Sequence, residues 1–461
     1  MRAEVRRVAV LAAVVLLASA SPSRAGLCGD TSGDGFFNAF DALATLKLAV
    51  TSGYDRRGDV APEQSQGNGS ITAGDALVSL RASVEARVPP CRGWTKTRAV
   101  VTTASYNFDP FGGFATIDLA TRAVAFRAAA IYGDAVVRTP DGTPVVVNRG
   151  TRSSLQVLDI SKPGLPNVKA CSVKDNFNSN PQDVVFVSAE KGYVTPYAGS
   201  ELFVISRPIL FDPELDPACS SIITNRIDLS GFDDDGIPEM DQMALVGSDL
   251  FVSLQLLNAE FQPGDTSVIA VIDTTTDTVK GSIPLAFQNP FAQTKGLYWD
   301  EFQQLLFVGG PGNTGNVLDD GGIEAIDPAA MESAGLVLSG ADIQANIFDF
   351  VIAGTARAFA IVVDGTPVPG SETPKSAGLM SNSVVEISLV TRSVTKRLLT
   401  STALITDIEM TETGELWVAY RGESGEDPPG IRIFDVRAEP VEILSARTTL
   451  AQPPFTLAFV D

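Results

Sequence analysis

Two stretches near the start of the chain place apolar side chains at helical spacing, and they are copies of one another. Asp41-Ala-Leu-Ala-Thr-Leu-Lys-Leu-Ala-Val50 aligns with Asp75-Ala-Leu-Val-Ser-Leu-Arg-Ala-Ser-Val84 at an offset of 34 residues. Leu43, Leu46 and Val50, and in the second copy Leu77, Leu80 and Val84, recur every three or four positions, which predicts two amphipathic helices. Neither helix can bury its stripe alone, and packing one on the other is the expected solution. Phe40, just ahead of the first stripe, is expected either to pack inside this unit or to form an apolar contact surface.

From residue 93 onward the pattern changes to short β-branched runs separated by glycine turns. One unit recurs seven times: an apolar run, then Asp or Ser, then a short turn and a second run. Its copies end at Asp118, Asp159, Ser206, Asp273, Asp327, Ser388 and Asp435, spaced 41 to 67 residues apart, which suits four-stranded blades with loop insertions. In Asp273-Thr-Thr-Thr-Asp-Thr-Val and Asp118-Leu-Ala-Thr-Arg-Ala-Val the aspartate is placed to accept backbone N–H groups and set a hairpin. The last residues, Pro453 to Asp461, read as a lone inner strand, while Arg98–Asn107, Gly113–Leu119 and Arg122–Arg127 read as three outer strands. Joined, they complete one blade and close the ring in a one-plus-three arrangement, which removes exposed sheet edges. The expected fold is mostly β: a seven-bladed β-propeller over residues 93–461 with a small all-α unit over residues 26–92 ahead of it.

The segment before each helix carries the candidate chemistry. Counting Asp30 as position 1, the run to Asp41 puts side-chain oxygens at positions 1, 3, 5, 9 and 12 (Asp30, Ser32, Asp34, Asn38, Asp41), glycine at 6 (Gly35) and the Phe36 carbonyl at 7. Alternating oxygens that converge on one point, with a glycine for the sharp turn, suit a hard ion of calcium's size (Ca2+). The second loop is less complete: Asp59, Asn68, the Ser70 carbonyl, Thr72 and Asp75 remain, but position 3 is Ala61 and five residues are inserted. A calcium loop followed by a single helix, in duplicate, resembles the dockerin type I repeat. That resemblance implies a calcium-stabilised unit that docks onto a protein partner. The Ser-Thr pair that dockerins often use for cohesin is replaced here by Ala39-Phe40 and Ala73-Gly74. The blade repeats in turn resemble the YVTN and NHL-like propeller repeats, with their Val-Ile-Asp-x-x-Thr-x-x-Val signature.

Other acidic positions call for attention inside the propeller. The inner strands are expected to open at Asp134, Asp183, Asp241, around Thr294, Asp349, Asp407 and Thr456, spaced 49 to 58 residues apart. Such a set forms either an acidic ring at one channel mouth, fit for a cation or an amine, or a set of carboxylates bonded to neighbouring blades' backbone N–H groups. Asp233, Asp235, Glu239 and Asp241 form a second candidate calcium loop, with a plain solvated turn as the alternative.

Composition narrows the function. The chain has 461 residues, a formal charge of -21 and no histidine. The charge repels phosphate backbones, so nucleic acid is not an expected partner. The missing imidazole removes His-assisted triads, His-ligated zinc and imidazole acid–base chemistry. Arg2, Arg6 and Arg7 before the apolar run Val8 to Ala18, with Ser23-Arg24-Ala25 after it, read as an export signal over residues 1–25. The run is too short to span a bilayer, which needs ~20 apolar residues. The expected location is therefore extracellular, at the cell surface or periplasmic, and the expected state a monomer. Export allows disulfides, and the preferred pairs are Cys28 with Cys91 and Cys171 with Cys219. The leading functional expectation is a non-enzymatic binding protein, with a protein partner at the N-terminal unit or an extracellular ligand at the propeller mouth. A carbohydrate-active hydrolase using two channel-mouth carboxylates, and a calcium-dependent lactonase, are the alternatives. Trp94, Trp299 and Trp417 fall at unlike blade positions, which weakens the case for a sugar platform.

Overall fold

The computed structural model describes residues 27–51, 55–61, 70–84, 95–104, 110–174, 178–264, 267–291, 296–313, 320–364, 382–422 and 427–461. The expected signal segment, Asn68 and Cys91 lie outside them.

Seven antiparallel sheets form the propeller. Blade 1 is built from both ends of the domain: Pro454–Val460 is its inner strand, followed outward by Arg98–Thr103, Phe111–Asp118 and Val124–Tyr132. Arg98 pairs with Val460 and Thr102 with Thr456, so the one-plus-three closure read from the sequence is what closes the ring. The remaining inner strands are Ala135–Arg138 (blade 2), Pro181–Phe186 (blade 3), Met240–Val246 (blade 4), Leu297–Asp300 (blade 5), Asn346–Ile352 (blade 6) and Ile405–Met410 (blade 7).

The seven recurring units are the third strands of the seven blades. The turns after them form as their aspartates predict. Asp273 Oδ1 accepts the Thr275 and Thr276 N–H groups, and Asp118 Oδ1 those of Ala120 and Thr121. Hydrogen bonds from those turns hold both carboxyls below the usual range. The three inner strands of each blade bury both faces, because each sheet packs between two others, whereas the outermost strands are largely exposed; the core is a chain of inter-blade clusters. Cys171 on the outer strand of blade 2 is bonded to Cys219 in blade 3, across a 48-residue separation. Its loop closure is worth ~4 kcal/mol in the chain-entropy model. Cys28 is also disulfide-bonded.

Ahead of the propeller, helix α1 spans Ala39–Thr51 and helix α2 spans Ala73–Val84. They do not pack through the leucine stripe. Leu43, Leu46 and Val50 are 64, 41 and 79 % exposed, and Leu77 and Leu80 are 67 and 44 % exposed. The buried positions are Asp41, Ala42 and Thr45 in α1 and Asp75, Ala76, Ser79 and Ala82 in α2. The cause lies at the helix starts. Asp41 and Asp75 are drawn into their own loops, and at about 100° per residue the leucines two and five positions on fall on the far side of the helix. Small residues then let the two backbones approach.

Candidate functional site

The first loop closes around its two terminal carboxylates. Asp30 Oδ1 accepts the N–H groups of Gly33 and Asp34 at 2.7 and 3.2 Å, and its Oδ2 that of Gly35 at 2.8 Å. Asp41 Oδ1 accepts Ser32 N–H at 3.1 Å and its Oδ2 accepts Asn38 N–H at 2.7 Å. Asp34 takes the Phe36 N–H at 2.8 Å. Gly33 and Gly35 sit at φ +78° and +88°, the left-handed region that their missing side chains permit. Burial pushes the Asp30 carboxyl up to about 7; Arg57 opposes that shift, while the Asp41 and Asp34 charges add to it. Burial also raises Asp41.

The second loop repeats the clamp. Asp75 Oδ1 accepts Val60 and Ala61 N–H at 2.9 and 2.7 Å, and its Oδ2 accepts both the N–H and the hydroxyl of Thr72 at 2.8 Å. Asp59 is buried, like Asp30. Among the described residues no group of three or more His, Cys, Asp or Glu is gathered to hold an ion as placed. The donor set of the first loop nonetheless fits a hard divalent cation: three carboxylates, two of them shut away from water and repelling one another, with neutral oxygens from Ser32, Asn38 and the Phe36 carbonyl.

The helical unit is built onto the propeller, and the first loop makes much of the contact. The Gly33 carbonyl accepts both the N–H and the hydroxyl of Thr355, at 2.9 and 3.0 Å. The Gly35 carbonyl accepts Arg357 Nη1 at 3.2 Å. Phe37 N–H donates to the Arg437 carbonyl at 3.4 Å, and Cys28 N–H to the Glu412 carbonyl at 2.8 Å. Arg56 forms a two-pronged pair with Glu412, at 2.8 and 3.0 Å, and reaches Glu301 at 3.4 Å. Arg57 lies over the Phe302 ring, 4.3 Å from its centre. Leu27 is buried in the apolar cluster between blades 6 and 7. Glu301 and Phe302, Thr355, and Glu412 lie in the turns that follow the inner strands of blades 5, 6 and 7. The unit therefore sits on the side where those inner strands leave the channel.

Arg357 is the hub of this junction. It is 1 % exposed, and its guanidinium bonds Glu386 at 2.6 Å, the Ala438 carbonyl at 2.8 Å and the Val436 carbonyl, besides Gly35. It also lies over the rings of Phe36 and Phe359. Sequence reasoning missed Arg357, Thr355, Arg56 and Glu412. No local signal marks them, since the partners they meet across the junction lie more than 300 residues away.

The candidate acidic ring is resolved residue by residue. Asp183 Oδ2 accepts the Met243 N–H at 2.7 Å, Asp349 Oδ2 that of Ile408 at 3.0 Å, and Asp407 Oδ2 that of Leu457 at 2.6 Å. Thr456 Oγ1 plays the same part towards Val137 N–H at 2.9 Å. Each acceptor sits at a bulge or register shift in its inner strand, which turns the side chain towards the neighbouring blade. These residues latch blade to blade, and Asp183 and Asp407 also line the channel. Asp241 is buried and accepts Gln242 Nε2 at 2.9 Å, and Thr294 lies outside the described residues. Asp134 is exposed and paired with Arg149, whose Nε stands 3.2 Å away. The channel is lined among others by Arg138, Gln242, Trp299 and Glu409. Arg138 Nε donates to Asp183 Oδ1 at 3.0 Å.

The loop at Asp233 does not converge either. Asp233 and Asp235 each take a nearby backbone N–H, from Asp235 and Ile237. Glu239 turns inward to Leu257 N–H at 2.8 Å, and burial pushes its carboxyl up to about 7.

No family model matches the chain, and no curated protein does. Solved structures do. A candidate 6-phosphogluconolactonase of Bacteroides fragilis superposes with a TM-score of 0.50 at 12 % identity, covering 81 % of this chain and 100 % of that one. A protein of Lactobacillus plantarum gives 0.49 at 11 %, covering 80 and 100 %. A candidate 6-phosphogluconolactonase of Bacteroides uniformis gives 0.46 at 10 %, covering 79 and 99 %. At such identities the likeness is one of fold.

Proposed function

We propose that this chain is an exported, non-enzymatic binding protein whose duplicated calcium-loop unit, mounted on the propeller, offers its leucine face to a protein partner. The observation that carries the reading is the outward stripe: Leu43, Leu46, Val50, Leu77 and Leu80 stand in water while small residues make the helix contact. Apolar side chains clustered in solvent on a rigid scaffold are a recognised mark of an interaction surface. Calcium in the first loop, held by Asp30, Ser32, Asp34, Asn38, Asp41 and the Phe36 carbonyl, would neutralise the buried carboxylates; the second loop, with fewer ligands, would bind more weakly.

The test is capture from the medium of the source organism on the immobilised full chain. A specific protein retained by the wild type in calcium, and lost by the Leu43→Asp/Leu77→Asp variant, is the expected result. Capture that survives the double substitution overturns the leucine-face assignment.

A lactonase reading draws support from the description of the Bacteroides fragilis neighbour. It would require a base or ion-bound water in the channel, where Asp183 and Asp407 are committed to backbone N–H groups. Calcium-dependent opening of a sugar lactone by the wild type, abolished in Glu409→Gln, would replace the binding reading with this one.

A further inference from the structure

The first loop has two sides, and they alternate along the chain. Positions 1, 3, 5, 7 and 9 (Asp30, Ser32, Asp34, Phe36 and Asn38) carry the oxygens that would face an ion. Positions 4, 6 and 8 carry the backbone groups that hold the blades: the Gly33 carbonyl on Thr355, the Gly35 carbonyl on Arg357, and the Phe37 N–H on the Arg437 carbonyl. The fit on the blade side is close. A Cβ on Gly354 would stand 2.5 Å from Gly35 N, and one on Gly35 would stand 3.2 Å from the Ala353 carbonyl.

We infer that ion occupancy of the first loop and its seating on blades 6 and 7 are one coupled event, so that the propeller surface is part of the calcium site's affinity. The inference rests on the reading that this loop takes calcium. Its physical basis is shared backbone. An ion that fixes the odd positions also fixes the carbonyls between them in the orientation that Thr355 and Arg357 require. Seating, conversely, removes conformational freedom that an isolated loop would lose on binding the ion. Coupling of this kind is reciprocal: whatever factor calcium adds to seating, seating adds to calcium. The pattern also separates the two copies, because the bonds from a calcium loop to the blades described above come from the first one. A unit of this type joined by a free linker would bind its ion independently of the domain next to it.

The experiment is calcium titration of the full chain by calorimetry, with Asp34→Ala marking the first-loop isotherm. Arg357→Met removes the guanidinium from the blade side. Arg357→Met leaves Glu386 in the interior and Arg56→Ala would leave Glu412 there, so Arg56→Ala is made together with Glu412→Gln as the deciding variant: it loosens the unit's hold on blades 5 and 7 with no buried charge left unpaired and every loop oxygen in place. The expected result is a first-loop dissociation constant about tenfold weaker in Arg56→Ala/Glu412→Gln, within the usual range for coupled sites. Amide exchange at Thr355 should also slow on adding calcium to the wild type and stay fast in Asp34→Ala. An unchanged dissociation constant in Arg56→Ala/Glu412→Gln overturns the coupling and leaves calcium binding intact. Absence of any Asp34-dependent binding in the wild type instead removes the calcium reading, and the coupling with it.

Discussion

The two loop-and-helix copies share a carboxylate clamp and differ in what surrounds it. In each, the last aspartate of the loop (Asp41 or Asp75) accepts N–H groups from loop positions 3 and 9, with position 2 added in the second copy, and in each the helix turns the same face inward. The first copy has a full set of oxygens, and its backbone holds Thr355 and Arg357. The second has Ala61 where the first has Ser32. A duplication thus supplied one fold twice, and contact with the blades gave the first copy a second task. The difference lies in single positions, which makes it open to substitution.

The largest effect is expected from Asp41→Ala set against Asp75→Ala. Each removes a buried charged acceptor from several N–H groups, which at the usual strength of such bonds costs about 3 kcal/mol. Asp41→Ala should also unseat the unit, so that the amide at Thr355 exchanges faster, whereas Asp75→Ala should leave it protected and loosen α2 together with Val60 and Ala61. Equal exchange at Thr355 in the two variants would erase the distinction between the copies. A smaller loss is expected from Gly35→Ala, which forces φ +88° on a residue with a side chain and crowds Ala353. About 2 kcal/mol of denaturant stability, with faster exchange at Thr355, would match that strain.

The smallest effect runs the other way. In the first copy the Thr45 hydroxyl meets Thr31 Oγ1 at 3.0 Å. In the second, the equivalent Ser79 Oγ is buried with no partner among the described residues, because Val60 stands where the first copy has Thr31. Val60→Thr should supply that partner and stabilise the second copy by about 1 kcal/mol, read as a higher urea midpoint for melting of α2. A lower midpoint would mean that the contact of Val60 with Cys28 outweighs the new bond.

Much of the propeller was legible because its signals are local and repeated. Asp118 and Asp273 set their own turns within three residues, so the repeats could be counted. The closing blade could be inferred from the strands left over at the two ends of the domain. The candidate site was less legible. Leu43 and Leu77 looked like core because helical spacing reports that a stripe exists but not which way it faces. The inner-strand aspartates were found at the expected spacing, but their choice between ring and latch depended on backbone bulges that no residue pattern announces.

By itself the sequence determined the blade count, the one-plus-three closure and the duplicated loops, since each follows from spacing or repetition along the chain, while the Cys171–Cys219 pair was only the preferred choice among three pairings until the structure showed the bond. Tertiary structure alone decided that the leucines face out, that Asp183, Asp349 and Asp407 join blade to blade, and that Gly33 and Gly35 rest on Thr355 and Arg357. Those outcomes depend on which distant groups compete for one buried carboxylate or one carbonyl. That competition is settled only when residues 50 to 60 positions apart, at the blade latches, or 322 apart, at the junction, are brought within hydrogen-bonding distance.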